Sequence, residues 1–553
     1  MKKLSFLLFA ALGLLFANNT IAQVSHGGEP MFNRSTAKIA SPDISMPILD
    51  NEVYLNEDLN AFKGAGPMRI GIMQETRVNI LDNANVIKDA DGTHFLMSVT
   101  SPKATFVSLH FSQFQLPEGA QIFFYDESGE FVLGSFIAEN AQDDGTFYTQ
   151  SIPGSTAYIE YNVPAGSEPG QIVLDAVCHG YKDIFRSMAE TYRDKADALK
   201  GAHGDAEGNC HINVVCPDGD DWRDQIRSVV ALEIIAGGGV YMCSGALINN
   251  TRQDKTPYVL SAYHCQDLDD ATTRFTAYFL YETLTCNGSM GPSNNSIIGA
   301  NIVAKFSYEY GSDFLLLRLN DTVPNKYKPY FAGWDRTNTA TATPGAGIHH
   351  PGGDFKKISF PKTISRASGS YNRFWDVGWY TGSQNKGVTE QGSSGSPLFN
   401  SDKRIIGQLY AGQSACNYMQ GKDYYGRLYT SWNGDNTNTT SLKSWLDPDN
   451  TGVTTLDGLN YKPVPVSIDS PEEASNVITV YPNPSTGVVH FDVNALGAAN
   501  YKVFDATGRC VKEGNTVLTS TTQAVDLRPL PKGNYIMQLH TSSRSYTATV
   551  IIK

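Results

Sequence analysis

Three residue types that together perform nucleophilic acyl chemistry occur in this 553-residue chain in the order histidine, aspartate, serine. The serine is Ser394, within Gly392-Ser393-Ser394-Gly395-Ser396-Pro397. Glycine lets the backbone take φ > 0 and bring its N–H groups close to a ligand. A serine on such a turn can be a nucleophile, with neighbouring N–H groups forming an oxyanion hole. Alone, the hexapeptide fits a polar loop equally well, since Ser and Gly are common turn residues. The candidate base is His264, which closes the run Pro257-Tyr258-Val259-Leu260-Ser261-Ala262-Tyr263-His264-Cys265. The candidate acid is Asp313, at the mouth of Phe314-Leu315-Leu316-Leu317. Singly, such a histidine is usually a surface or hydrogen-bonded residue, and such an aspartate a turn residue. A serine nucleophile needs a base, and the base an orienting acid. The three together, in one segment, outweigh the separate bland readings.

The elements around them read as strands. Between about 209 and 460, Gly245-Ala246-Leu247-Ile248, Tyr258-Val259-Leu260, the Phe314 run and Ile405-Ile406-Gly407-Gln408-Leu409-Tyr410 alternate with Gly, Asn and Asp turns. Long helical patterns are few, so a β-barrel class is expected. Six of the eight cysteines, Cys210, Cys216, Cys243, Cys265, Cys286 and Cys416, fall here. An even set inside one segment is what a disulfide framework requires. Cys178 and Cys510 lie outside it. No Cys-x-x-Cys pair supports a zinc site, and Pro217-Asp218-Gly219-Asp220-Asp221 lacks an ordered cation-ligand spacing. No metal and no cofactor is expected.

A chain this long needs several domains. Lys2 and Lys3, an apolar run over 4–17 and Thr20-Ile21-Ala22 have the layout of a secretory signal peptide over 1–22. The run falls short of the roughly 20 residues that span a bilayer. Export permits disulfides. Residues 23–200 form a β-rich unit with strands at Thr105-Phe106-Val107-Ser108-Leu109-His110-Phe111, Gln121-Ile122-Phe123-Phe124-Tyr125 and Ala157-Tyr158-Ile159-Glu160-Tyr161, closing in a helix over 181–199. A Gly-rich link over 201–208 follows. Residues 461–476 are a Pro- and acid-containing linker, and 477–553 a small β-sandwich with no cluster of titratable residues. The net charge of −13 argues against a nucleic-acid partner, which would need a basic face.

These residues carry a family resemblance. Leu260-Ser261-Ala262-Tyr263-His264-Cys265 resembles the trypsin-superfamily Leu-Thr-Ala-Ala-His-Cys, and the serine hexapeptide resembles its Gly-Asp-Ser-Gly-Gly-Pro. The His, Asp, Ser order is that of chymotrypsin. The closer resemblance, over about 209–460, is to bacterial lysyl endopeptidases. It includes Cys210-His211-Ile212-Asn213-Val214-Val215-Cys216, Ala332-Gly333-Trp334-Asp335-Arg336, Gly387-Val388-Thr389-Glu390 and Tyr425-Gly426-Arg427-Leu428-Tyr429-Thr430-Ser431-Trp432. It implies an all-β, chymotrypsin-like double barrel with the site between barrels. It implies Ser394 as nucleophile, His264 as base and acid, Asp313 as orienting carboxylate, and the N–H groups of Gly392 and Ser394 as oxyanion hole. It also implies the disulfides Cys210–Cys416, Cys216–Cys286 and Cys243–Cys265.

Departures matter. Ser393 replaces the aspartate that, in trypsin, pairs with the new N-terminal amine, so release of an occluding propeptide is the expected activation route. Trypsin's lysine-binding aspartate would fall at Val388, which sends the specificity carboxylate to Asp423. Tyr410-Ala411 replaces the His-Gly of lysyl endopeptidases, and the tryptophan they place beside that histidine is missing from 364–371, with Trp375 nearby. One methylene in a pocket is worth about 1–3 kcal/mol, so selectivity can shift without being lost. The Lys200–Gly201 bond is the expected maturation cut, suiting an enzyme that cleaves after lysine.

The C-terminal unit has Val480-Tyr481-Pro482-Asn483-Pro484-Ser485-Thr486-Gly487 and Leu530-Pro531-Lys532-Gly533-Asn534-Tyr535-Ile536, which resemble the sorting domain of type IX secretion cargo. The expectation is a secreted or surface-exposed monomeric serine endopeptidase, exported through the periplasm and outer membrane. It would cleave proteins and peptides after lysine. The alternatives are Arg or broader basic specificity, and a non-catalytic adhesin on a protease fold.

Overall fold

The computed structural model describes residues 25, 27–31, 43–60, 66–142, 144–184, 210–266, 273–286, 294–339, 345–381, 386–461, 480, 481, 483–491, 497–505, 509–518, 523–541 and 545–553. The expected signal peptide, most of the 181–199 helix, the Lys200–Gly201 bond and the linker beyond residue 461 lie outside them. Residues 181–184 are irregular rather than helical. The chain forms two compact units, Met1–Tyr461 and Lys462–Lys553.

In the first unit the N-terminal part is built on β1 (Met68–Asn79), β2 (Gly92–Thr100), β3 (Phe106–Phe114), β4 (Gln121–Tyr125), β5 (Thr156–Pro164) and β6 (Ile172–Gly180). Strands β2, β5 and β4 share one sheet, and β1, β6 and β3 belong to another. Alternating apolar residues of both sheets meet in a core with Leu109, Phe111, Ile122, Phe124, Ile159, Leu174 and Val177.

The first barrel contains β7 (Val229–Ala236), β8 (Gly239–Leu247), β9 (Tyr258–Ala262), β10 (Arg274–Tyr278), β11 (Ala300–Phe306) and β12 (Phe314–Leu319). β7 and β8 form a hairpin across Gly237-Gly238, whose φ of 55° and 74° suit the primed turns that hairpins favour. β9 pairs antiparallel with β12, placing Ala262 opposite Phe314. That register decides the site, because residues just past Ala262 must meet the residue just before Phe314.

The second barrel contains β13 (Ala346–His349), β14 (Lys357–Ser359), β15 (Phe374–Trp379), β16 (Pro397–Phe399), β17 (Ile405–Gly412) and β18 (Lys422–Arg427), paired in the order β14-β13-β16-β17-β18-β15. Leu260, Phe314 and Leu316 of the first barrel share a core with Ile348, Phe399, Ile405 and Trp432 of the second. The fold is the expected all-β double barrel.

The N-terminal part is not a separate body. β1 pairs antiparallel with β8, Val240 opposite Gly71 and Met242 opposite Met68, so one sheet runs from the N-terminal part into the first barrel. Met68, Ile70, Phe106, Tyr148 and Ile184 share a core with Ile235, Met242, Tyr281 and Phe355. Buried at this junction, Glu233 accepts hydrogen bonds from Ser151 Oγ (2.5 Å) and Tyr278 Oη (2.9 Å).

The second unit has a three-stranded sheet, Val480–Tyr481, Val488–Phe491 and Gln523–Asp526, and a four-stranded one, Gly497–Phe504, Cys510–Leu518, Gly533–Thr541 and Ser545–Ile552. Val489, Phe491, Val503, Leu539 and Val550 form its core.

Candidate active site

β9 runs into a short turn, Tyr263–Cys265, that carries His264. Asp313 holds this turn at three points. Its carbonyl accepts the Tyr263 N–H (2.9 Å), Oδ1 accepts the His264 N–H (3.1 Å), and Oδ2 lies 2.7 Å from His264 Nδ1. Asp313 takes a left-handed φ of 61° and is fully buried. The other ring nitrogen, His264 Nε2, is buried with no hydrogen-bond partner. This imidazole is oriented from one side and free on the other, as a general base requires. The Cys243–Cys265 disulfide ties the histidine turn to β8.

Ser394 arrives from the loop before β16. At Gly395 an added Cβ would lie 2.2 Å from Ser261 Oγ and 2.8 Å from Ala262 N, so only glycine lets the loop reach the end of β9. The Ser394 carbonyl accepts the Ser244 N–H at 2.8 Å. Ser394 therefore lies against the strand end that carries His264.

The loop's carbonyls are fixed on its reverse side. Gln391 O accepts the Gly352 N–H (2.7 Å), and Ser393 O accepts the Ser396 N–H (3.0 Å). In a trans peptide the C=O and N–H point in opposite directions. The N–H groups of Gly392 and Ser394 are thus turned away from these bonds. Gly392, at φ 88°, has His350 O and Gly353 N 2.9 Å from where a Cβ would be.

Residues 204–426 match the family described as lysyl endopeptidase, C-terminal domain, and residues 479–553 match the secretion system C-terminal sorting domain. A lysyl endopeptidase of Pseudomonas aeruginosa is 28% identical over 391 residues, covering 66% of this chain and 79% of that protein. The protein is a serine endopeptidase whose central segment is similar to lysyl endopeptidases. Solved structures with similarity include the thermostable serine protease AL20 from an extremophilic microorganism (13% identity, TM-score 0.28, 37% of this chain and 92% of that chain). The protease Anisep from Arthrobacter nicotinovorans (15%, 0.28, 36% and 90%) is another. Mouse brain neuropsin (18%, 0.26, 37% and 91%) is a third. With its type IX sorting domain the endopeptidase is exported to the cell surface or the extracellular space.

In this endopeptidase Asp423 on β18 is fully buried. Its Oδ2 accepts from Trp379 Nε1 (2.6 Å), Thr389 Oγ1 (2.6 Å) and Ser414 Oγ (2.5 Å), and its Oδ1 from the Ser414 N–H (3.2 Å). Burial pushes this carboxyl above the ordinary carboxylate range, and the bonds from Ser414, Thr389 and Trp379 oppose it. Thr389 follows Val388, so the carboxylate reaches the neighbourhood of residue 388 from another strand. Opposite it, Gly412 is obligatory, as an added Cβ would lie 1.7 Å from Asp423 Oδ1.

Tyr410 is the extra residue of a bulge between Leu409 and Ala411, a device that re-aims a side chain. Its ring meets His264 edge-on at 6.2 Å and stacks on Phe374 (4.8 Å) and Tyr308 (5.4 Å). Burial raises its hydroxyl pKa to about 12. Trp375, near this position in sequence, is instead buried and donates to Ile406 O at 3.0 Å. Phe374 supplies the aromatic partner. Ala411 lies opposite Tyr424.

The disulfides are Cys210–Cys416, Cys216–Cys286 and Cys243–Cys265, with Cys178 buried and free and Cys510 exposed and free. Cys210, His211 and Cys416 lie within a cation's reach of one another, but the two sulfurs are bonded to each other and are unavailable as thiolates. Sequence reasoning missed His349, His211 and Glu390 beneath the serine loop. The buried pair His349-His350 before Pro351-Gly352-Gly353 was the available clue.

Proposed function

We propose that the enzyme hydrolyses peptide bonds after lysine through Ser394, His264 and Asp313. The observation that carries the reading is His264, held by Asp313 through Nδ1 with Nε2 open. Ser394 Oγ attacks the scissile carbonyl carbon and its proton passes to His264 Nε2. The resulting oxyanion lies against the N–H groups of Gly392 and Ser394. His264 then protonates the leaving amine as the C–N bond breaks, giving an acyl-enzyme. Water attacks the ester and passes a proton to His264, which returns it to Ser394 as the new carboxylate leaves. Asp423 supplies the charge that receives the lysine ammonium, with Tyr410 and Ala411 at the pocket mouth.

In this reading residues 1–22 are a signal peptide and 23–200 a propeptide cut from the 201–460 protease domain at Lys200–Gly201. Residues 461–476 are a linker and 477–553 a removable sorting domain. A second reading, cleavage after both lysine and arginine, is favoured by the Tyr410-Ala411 departure. Fluorophosphonate labelling of the purified, matured protein tests the chemistry: labelling is expected at Ser394, and an unlabelled wild type refutes it. Cleavage-site mapping on a peptide library tests specificity. Cuts after lysine alone are expected, and frequent cuts after arginine establish the second reading.

A further inference from the structure

Ser393, which precedes the nucleophile, cannot take a charged partner as a carboxylate would. It is nonetheless fully buried and bonded: its Oγ lies 2.7 Å from His349 Nδ1 and accepts the Glu390 N–H at 3.2 Å. On the far side of the imidazole, His349 Nε2 lies 2.9 Å from Ser359 Oγ. Ser359 Oγ donates its only proton to Val388 O at 2.9 Å. Ser359 must therefore accept from His349 Nε2–H, which leaves Nδ1 as the acceptor of the Ser393 hydroxyl proton. The chain of bonds is complete for one neutral tautomer. It grips the serine loop at both ends, Val388 and Ser393, from strands β13 and β14 of the same barrel.

We infer that His349 is a positioning residue: a neutral imidazole, rather than an ion pair, locks the 388–394 loop so that Gly392 and Ser394 present their N–H groups to the oxyanion. Burial holds His349 well below its ordinary pKa, with His211, His350 and Lys357 acting in the same direction, so the neutral form persists through physiological pH. A second contact supports the grip. His211 Nε2 lies 3.0 Å from Glu390 Oε2, while Glu390 Oε1 accepts the Cys416 N–H at 3.0 Å. The His211 and His349 rings meet edge-to-face at 6.0 Å. The lock is assembled from parts of the barrel already in place, so it needs no newly freed amine.

The inference rests on Ser394 being the nucleophile. It is tested by expressing the full chain, maturing it, and comparing His349→Ala, His349→Gln and Ser393→Ala with wild type. The readouts are fluorophosphonate labelling rate, kcat and KM on a peptide that wild type cleaves, and melting temperature. Losing oxyanion-hole alignment is expected to lower kcat and the labelling rate about a hundredfold in His349→Ala, with KM within about threefold. Ser393→Ala removes two hydrogen bonds and little volume, and is expected to lose about tenfold. His349→Gln can both donate and accept, and is expected to recover most of the His349→Ala loss. If His349→Ala fails to fold, Ser393→Ala and His349→Gln still decide. A wild type that labels, with Ser393→Ala and the folded His349 variants labelling within about twofold of it, overturns the lock. A wild type that never labels overturns the endopeptidase reading and the lock with it.

Discussion

Asp313 binds His264 twice, through Oδ2 to the ring Nδ1 at 2.7 Å and through Oδ1 to the backbone N–H at 3.1 Å. One carboxylate thus fixes both the tautomer of the imidazole and the place of its turn. Asp313→Asn keeps the volume but offers one accepting oxygen to two donors, so in either amide rotamer an NH2 group faces Nδ1–H or the His264 N–H. A fall in kcat of about 10⁴-fold is expected, with KM little changed. Steady-state kinetics of the matured variant checks this, and a loss below about tenfold shows that Asp313 does not orient the base.

Asp423 collects four donors, none of them a cation. Asp423→Asn is expected to lower kcat/KM for lysyl substrates by about a hundredfold or more, the loss of a buried charge partner. Labelling of Ser394 by a fluorophosphonate should stay within about threefold of wild type, since that reagent needs no basic side chain. Intact cleavage after lysine shows that the pocket charge lies elsewhere.

Tyr410 reaches His264 with its ring, and its two stacking partners are aromatic. Stacked pairs are worth about 0.5–1.5 kcal/mol each beyond their area. Tyr410→Ala is expected to cost about tenfold in kcat/KM. Tyr410→Phe keeps the ring and should stay within about threefold. If the two variants fall equally, the hydroxyl rather than the stack matters.

Glu233 lies under the junction of the N-terminal part and the first barrel, with Oε1 unpartnered. Burial raises its pKa from 4.5 to about 7, against hydrogen bonds from Ser151 and Tyr278. The groups around it, Tyr278 and Cys178, are pushed well above their ordinary values by burial and by Glu233 itself, so they stay neutral through this window. A raised folded-state value means the folded precursor holds the proton longer than the unfolded chain. Its stabilising effect is full below about 4.5 and lost as pH rises to about 7, a difference of about 3 kcal/mol. In a Ser394→Ala background, which prevents self-cleavage, Glu233→Gln should therefore gain stability over its parent between pH 5 and pH 8. Thermal melts at both values check this, and a gap independent of pH refutes it.

Much of the site was legible because each residue carries a local signature. His264 ends an apolar run beside a cysteine, Asp313 opens one, and Ser394 lies between glycines. The strands that deliver them alternate clearly enough to be read at Phe314 and Ile405. The aromatic partner of Tyr410 was not legible in the sequence. Trp375 and Phe374 are neighbours in sequence, and the pleat sends them to opposite faces of β15, a choice set by which face meets the core. The N-terminal unit was legible as strands with its own core, but not as an extension of the barrel. Within the barrel β8 pairs with β9 only at Ala246 and Leu247, and side-chain patterns do not name the strand that takes up its free Gly239–Met242 edge.

The sequence by itself determined which residues are candidates for nucleophile, base and acid, the even cysteine set, and the absence of a carboxylate at residues 388 and 393. Those are statements about residue type, which spacing and composition carry directly. The sequence also named Asp423 for the vacancy at residue 388; only the tertiary structure showed what meets residue 393 and how each position is reached. Asp423 reaches Thr389 from 34 residues away in the chain, and His349 reaches Ser393 from 44. Both contacts depend on the pairing order of a closed barrel. Hydrogen bonds of a few ångströms between distant residues exist only once that register is set.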